Sequence, residues 1–326
     1  MDATKNINTP NQRVIEIPTH KMPRATKKEG CKPPFGYFGA KQRISKKIID
    51  MLPPHNAWVE GFCGSAAITF AKPPAPIEII NDLDSVIVNF FQQLRDNQEA
   101  LIRAIELTPY SNEEFRNARS EVRNETGGLE KARHFLVHAM MTINGTVDTT
   151  GGGFSYTNSY TRNNREARVN RWYNLPQRLE EVVERLRRIR IENRDAAELV
   201  SMYSNRPATL IYLDPPYFTD RQHGYTIDAR DEEFHINLLK VCIKSKSMII
   251  LSGYDNPLYN EFLTARSGWN KHFIRTTTRN TTGTDYVREE TLWLNKTLQK
   301  AKKQNKLPIR LTKAELKNGK LNPLRK

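Results

Sequence analysis

Short apolar runs alternate with longer, helically patterned stretches along most of this chain. Ala57–Glu60 (AWVE) reads as a strand, and the GFCGSAAI that begins beyond it turns into a helix. Ile77–Asn81 (IEIIN) is a second strand, followed by a helix from about Ser85 to Leu94. Arg188–Glu192 (RIRIE) and Leu210–Asp214 supply a third and a fourth. Met248–Ser252 (MIILS) is a fifth, reached through a helix across Glu232–Lys244, and His272–Thr276 and Thr291–Leu294 (TLWL) close the set. Strand alternating with helix predicts an α/β domain with a mostly parallel sheet and helices on both faces. The alternation breaks between about Thr108 and Arg187, which is helical at first and then rich in Gly, Thr, Asn and Arg. We read 108–187 as an insert in a domain made of 35–107 and 188–298. Residues 1–34 are polar, hold Pro10, Pro18, Pro23, Pro33 and Pro34, show no periodicity and read as a mobile arm; 299–326 reads as a basic tail.

Composition narrows the class. With 326 residues, 38% of them hydrophobic, the chain can bury one large core with a substantial insert. No apolar run approaches the ~18 residues of a membrane span, and the N-terminus has no hydrophobic signal core. The three cysteines, Cys31, Cys63 and Cys242, are far apart, which offers neither a disulfide framework nor metal-ligand spacing and fits a reducing cytoplasm. The formal charge is +15. Residues 301–326 hold nine Lys/Arg and one acid, a net of +8, so the remainder keeps +7. Such an excess points to a polyanion, most often nucleic acid; the alternative is a merely soluble basic protein.

In open α/β sheets ligands bind outside the carboxyl ends of the strands, so the residues just past each strand matter most. After the first comes Glu60-Gly61-Phe62-Cys63-Gly64-Ser65. Its glycines let backbone approach a ligand, and the next helix offers free N–H groups, which suits a nucleoside cofactor carrying a carboxylate. A tight strand-to-helix turn has the same composition. After the second comes Asn81-Asp82-Leu83-Asp84, where Asp84 can cap a helix and leave Asp82 to accept from two ribose hydroxyls. After the third, Asp195 is placed either to accept from an adenine amino group or to cap a helix.

After the fourth strand comes Asp214-Pro215-Pro216-Tyr217. The N6 amino group of adenine is a poor nucleophile, because its lone pair is delocalised into the ring. A carboxylate and a backbone carbonyl accepting its two N–H bonds draw the nitrogen toward a nucleophilic, tetrahedral form. The prolines hold those acceptors in place, and Tyr217 offers a face for a flipped-out base.

With these residues in hand, the chain resembles the Dam-like DNA adenine-N6 methyltransferases, the D12 class or alpha-group, in order over about residues 35–295. Phe35-Gly36-Tyr37-Phe38-Gly39-Ala40-Lys41 resembles that group's N-terminal motif, with Ala40 where a second glycine is usual. Val59–Ala66 resembles its S-adenosylmethionine loop, with Gly61 for a frequent proline and Ser65 for a frequent glycine. Asn81–Asp84 matches the ribose-binding strand end, DPPY the catalytic tetrad, and Leu251–Asp255 and Arg288–Asn295 the late motifs. The resemblance implies a Rossmann-like methyltransferase fold of seven strands, one antiparallel near the edge. It implies that Tyr37, Lys41 and the Glu60–Ser65 loop hold S-adenosylmethionine, that Asp82 binds its ribose and Asp195 its adenine. Asp214 and Pro215 would hold the target N6, with no metal.

The insert would then recognise DNA, double-stranded, with the protein a monomer. Arg162, Arg165, Arg168 and Arg171 recur every third residue. On a helix they share one face and suit phosphates, while Asn163 and Asn164 between them suit adenine edges; a solvated charged helix is the plainer alternative. Gly151–Tyr156 reads as a hairpin tip, and Phe218–Tyr225 as a loop closing over the base, with His223 not required as a base. Methylation of RNA adenine or cytosine N4, or a catalytically silent DNA-binding relative, remains open at this stage.

Overall fold

The computed structural model describes residues 30–36, 41–124, 127–143, 152–218, 232–279 and 285–308. Its strands are β1 (Ala57–Glu60), β2 (Ile77–Asn81), β3 (Thr161–Arg162), β4 (Arg165–Glu166), β5 (Ile189–Glu192), β6 (Thr209–Leu213), β7 (Met248–Gly253), β8 (Asn270–Arg279) and β9 (Asp285–Leu294). Seven of them form one sheet in the order β5-β2-β1-β6-β7-β9-β8. β5, β2, β1, β6 and β7 run parallel. β9 is antiparallel to both β7 and β8, so it is the single reversed strand, one place in from the edge. The chain winds outward in opposite directions from β1 and from β6. Their carboxyl ends therefore splay apart, which is where ligands enter such sheets.

The parallel strands were legible because they are buried on both faces and so are continuous apolar runs. Their alternation sends Trp58, Leu210, Tyr212, Met248 and Ile250 to one face, under α1 (Ser45–Ile49), α2 (Ala67–Ala71) and, at the chain's far end, a helix over Lys296–Gln304. Val59, Ile79, Ile211, Leu213, Ile249 and Leu251 go to the other, under the helices Ala196–Tyr203, Glu232–Lys244 and Pro257–Phe262. The predicted helix at Ser85 is α3 (Ser85–Asp96). Asp84 starts it by accepting from Val86 N at 2.9 Å, and Val86, Ile87, Phe90, Phe91 and Leu94 give it a fully buried stripe.

The segment between Thr108 and Arg187 packs onto that stripe. After α4 (Gln98–Leu107), α5 (Asn112–Glu121) and α6 (Gly128–Met141) bring Phe115, Phe135 and Leu136 into one core with Phe90 and Phe91. Phe35, in the N-terminal motif, stands edge-on to Phe90 and Phe135 at 5.2 and 4.9 Å. Arg123 at the end of α5 makes a two-pronged contact with Asp84, at 2.8 and 2.7 Å, tying these helices to the start of α3.

The arginine stripe needs correcting. Arg162 and Arg165 lie not on a helix but on the two arms of the β3–β4 hairpin. The turn is Asn163-Asn164, both left-handed at φ 50 and 56°. Two left-handed residues make the tight turn whose twist matches a hairpin, and asparagine tolerates that region better than most side chains. The asparagines thus have a local reason to be there. Only Arg168 and Arg171 lie on a helix, α7 (Ala167–Tyr173). It leads into α8 (Leu175–Leu186), which packs back against α3, α4 and β5. Gly153–Ser155 run antiparallel to the end of α6, with Thr142 bridged to Phe154 and Ser155 N bonded to Met141 O at 2.7 Å. Gly151, the arm before residue 30, residues 219–225 with His223, and the tail from 309 lie outside the described residues.

Candidate active site

Asp214 leaves the end of β6 into a buried cluster. Lys41, from the 3-10 turn ahead of α1, sets its Nζ 2.8 Å from Asp214 Oδ2 and 3.6 Å from Glu290 Oε1. It also donates to the Tyr217 hydroxyl. Tyr217 donates onward to Glu290 Oε1 at 2.7 Å, and Ser252 Oγ donates to the same oxygen at 2.6 Å. The Tyr254 ring stands edge-on to Tyr217 at 4.4 Å. One ammonium thus serves two carboxylates. Burial, reinforced by Glu290, outweighs Lys41 and pushes Asp214 up to about 6. For Lys41 burial works toward neutrality, but Asp214 and Glu290 outweigh it and hold the ammonium above its ordinary value. Asp214 Oδ1 makes no hydrogen bond among the described residues.

Beside this cluster the Glu60–Ser65 loop folds over the end of β1. Gly61 N bonds to Tyr212 O at 2.9 Å. A Cβ there would come 2.6 Å from the end of the buried Leu213 side chain, which would have to shift to admit it. Gly64 is left-handed at φ 47°. Its N–H donates to Asp82 Oδ2 at 2.8 Å, and Asp84 N donates to Asp82 Oδ1 at 3.0 Å. Asp82 therefore shapes the loop, and burial raises it to about 6. Ser65 is buried, and its Oγ has no partner among the described residues. Phe62 is half-buried and meets Phe234 edge-on at 6.2 Å.

Two placements differ from the reading of the sequence. Glu60 turns away from the loop: its Oε2 accepts from Thr69 N at 3.0 Å and from the Thr69 hydroxyl, and burial lifts it to about 7. Lys41 joins Asp214 and Tyr217 rather than the loop. Asp195 is a helix cap, its Oδ1 accepting from Ala197 N and Glu198 N at 2.8 and 3.1 Å; its Oδ2 remains for another donor. Tyr37 lies outside the described residues. Among the described residues no group of three His, Cys, Asp or Glu is placed to hold a metal ion.

Four residues of the site escaped the sequence reading. Ser252, Tyr254 and Glu290 sit within stretches that had been noted, Leu251–Asp255 and Arg288–Asn295, but carried no role. The available signal was a lone acid in register with the buried Leu292 and Leu294. Asn81 is the fourth: its Nδ2 donates to Gly61 O and Arg194 O at 2.9 and 3.0 Å, and its Oδ1 accepts from Arg194 N at 3.0 Å. It ties the loops after β1, β2 and β5 together.

On the outer side, Arg162 and Arg165 are exposed, with their guanidinium carbons 5.6 Å from the Tyr160 ring and 4.0 Å from the Tyr173 ring. Arg171 instead turns inward, its Nη2 3.5 Å from Met140 Sδ, where burial lowers its pKa.

Residues 37–280 match the family of D12 class N6 adenine-specific DNA methyltransferases. The chain is 25% identical over 261 residues to the Type II methyltransferase M1.LlaDCHI of Lactococcus lactis subsp. cremoris, covering 75% of this chain and 87% of that protein. Among solved structures, a SAM dependent methyltransferase from Agrobacterium tumefaciens aligns over 59% of this chain and 64% of that one, at 15% identity and a TM-score of 0.24.

Proposed function

Because the chain belongs to the family of D12 class N6 adenine-specific DNA methyltransferases, we propose that it transfers a methyl group from S-adenosylmethionine to adenine N6 in duplex DNA. It acts as a monomer, with the target base turned out into the Asp214–Tyr217 pocket. The observation that carries this reading is Asp214 itself. It is a half-buried carboxylate at a sheet's ligand-binding edge, and its buried Oδ1 makes no hydrogen bond among the described residues. Lys41 keeps Oδ2 and leaves Oδ1 to receive an N–H of the amine.

S-adenosylmethionine supplies a methyl group on a sulfonium that departs as a neutral thioether. The protein's part is to place and polarise the amine. Asp214 Oδ1 and the Pro215 carbonyl accept its two N–H bonds, Pro215 and Pro216 keep those acceptors still, and the Tyr217 ring supports the base from one side. As nitrogen gains the methyl it becomes cationic and releases a proton. Asp214, near 6, stabilises that charge and can take the proton up.

The residues of the Glu60–Ser65 loop fit the cofactor. The loop turns sharply at the left-handed Gly64, the Ser65 Oγ is buried with no partner among the described residues, and Asp82 and the Asp195 Oδ2 can accept from ribose and amino groups. The exposed Arg162 and Arg165, each beside a tyrosine, suit phosphate contacts.

The test is methyl transfer from labelled S-adenosylmethionine to mixed-sequence duplex DNA, followed by digestion to nucleosides. Label in N6-methyladenine is expected. Label in N4-methylcytosine, or transfer to RNA alone, would replace the assigned substrate.

A further inference from the structure

Glu290 belongs to no element that carries the acceptor tetrad. It reaches the site from β9, the reversed strand, across β7. Its Oε1 collects the Tyr217 hydroxyl at 2.7 Å and the Ser252 hydroxyl at 2.6 Å, with Lys41 Nζ at 3.6 Å. Its side chain is 12% exposed. A neutral acceptor would satisfy both hydroxyls. A second, half-buried carboxylate beside Asp214 instead raises the cost of ionising Asp214, because its charge lies close to the same ammonium. The geometry gives that charge a use. Lys41 is shared between Asp214 Oδ2 at 2.8 Å and Glu290 Oε1 at 3.6 Å, an arrangement that keeps its ammonium on Oδ2. The same Glu290 oxygen fixes the Tyr217 phenol, while the Tyr254 edge fixes its ring.

We propose that Glu290 is a positioning residue of the target pocket, holding Tyr217 by its phenol and Lys41 by charge so that ring face and Asp214 Oδ1 meet one base in one orientation. This rests on the reading of the site as an adenine-N6 pocket. Glu290 touches neither the amine nor the cofactor in this scheme; it acts through Tyr217 and Lys41.

Two variants separate geometry from charge. Glu290→Gln keeps an oxygen for Tyr217 and Ser252 but removes the charge; Glu290→Ala removes both. Each is assayed with S-adenosylmethionine and mixed-sequence duplex DNA for kcat, for KM of cofactor and of DNA, and for the pH profile of kcat/KM. The ionisable groups facing Asp214 in this cluster are Lys41, Glu290, Glu60, Tyr212, Tyr217, Tyr254 and Tyr259. Glu290→Ala is expected to lower kcat about 10- to 100-fold through lost orientation, with the cofactor KM changed by less than about twofold. Glu290→Gln is expected to retain more of kcat. Its acid limb is expected to move to lower pH, because Asp214 ionises more readily once the like charge is gone.

Wild-type kinetics and an unmoved acid limb in both variants would overturn the inference, as would loss of cofactor affinity in step with kcat, which marks a merely structural role. If wild-type protein itself makes no N6-methyladenine, the functional reading falls first and takes this inference with it. An active wild type with indifferent variants sinks the inference alone.

Discussion

Glu60, Asp82 and Asp214 are three acids gathered at the ends of three neighbouring strands, and all are raised by burial, to about 7, 6 and 6. An acid raised in the folded state binds its proton more readily folded than unfolded. Ionising it therefore weakens the fold, with a penalty absent below its unfolded value and complete above its folded one. For Glu60 that window runs from about 4.3, the ordinary value, to about 7. Glu60→Gln keeps an oxygen for Thr69 and removes the charge, so it is expected to raise the Tm of the ligand-free protein at pH 8 and to lose most of that gain by pH 5. Thermal unfolding at the two pH values checks this; a gain of equal size at both would detach the effect from ionisation. At the residue scale the sequence was most informative where chemistry follows a strand directly. Asp214, Tyr217, Asp82 and the glycines were all visible from their positions. Lys41 and Glu290 were not visible as partners of Asp214, because only tertiary folding brings a turn before α1 and the seventh strand of the sheet to the end of β6.

At the element scale, a buried charge cluster locks β2 to two helices behind the site. Glu78 on β2 takes Lys72 Nζ at 2.6 Å, Arg185 Nη2 at 2.7 Å and Ala75 N at 3.0 Å, all on Oε1. Arg185 also donates to Thr69 O at 3.2 Å, and Thr69 is what holds Glu60. Removing one partner strands two buried cations, so Glu78→Ala is expected to cost about 3–5 kcal/mol in denaturant unfolding. A loss below about 1 kcal/mol would mean that water reaches the cluster. The β3–β4 hairpin gives a second expectation. Replacing Arg162 or Arg165 by Ala should weaken DNA binding evenly across sequences and reduce the salt slope by about one. An unchanged slope would remove that arginine from the phosphate interface. This hairpin is also where helical periodicity misled. Spacing alone cannot tell a stripe of arginines from a hairpin followed by a helix, and Asn-Asn was the local cue for the turn. The long strands β8 and β9 were seen only in part, because their pairing with each other runs on past the stretch where β9 pairs with β7.

Across the whole molecule, the mostly parallel sheet follows from an alternation that is readable because the central strands are buried on both sides, whereas the reversed strand was expected only from the family resemblance and the strand order is supplied only by the fold. Among the described residues no helix is long and apolar enough to cross a membrane. The positive charge is spread over core and tail alike. The helix Lys296–Gln304 buries Leu298 and Ala301, so a truncation that probes the tail should begin at residue 309. Removing 309–326 takes away six Lys/Arg and one Glu. It is expected to flatten the salt dependence of DNA binding and leave cofactor affinity unchanged. An unchanged salt slope would show that the core alone carries the electrostatic contact.

The central claim is that Asp214 activates an adenine amine, and single-turnover methylation tests it most directly. Wild-type and Asp214→Ala protein would be saturated with S-adenosylmethionine and mixed with duplex DNA, and N6-methyladenine followed in time from pH 5 to 8. The account predicts a wild-type rate that falls as pH drops through about 6, where Asp214 takes up a proton. It predicts a rate about 10²–10³-fold lower in the variant, with cofactor affinity within about twofold of wild type. A variant that methylates adenine at the wild-type rate, with the same acid limb, would contradict it.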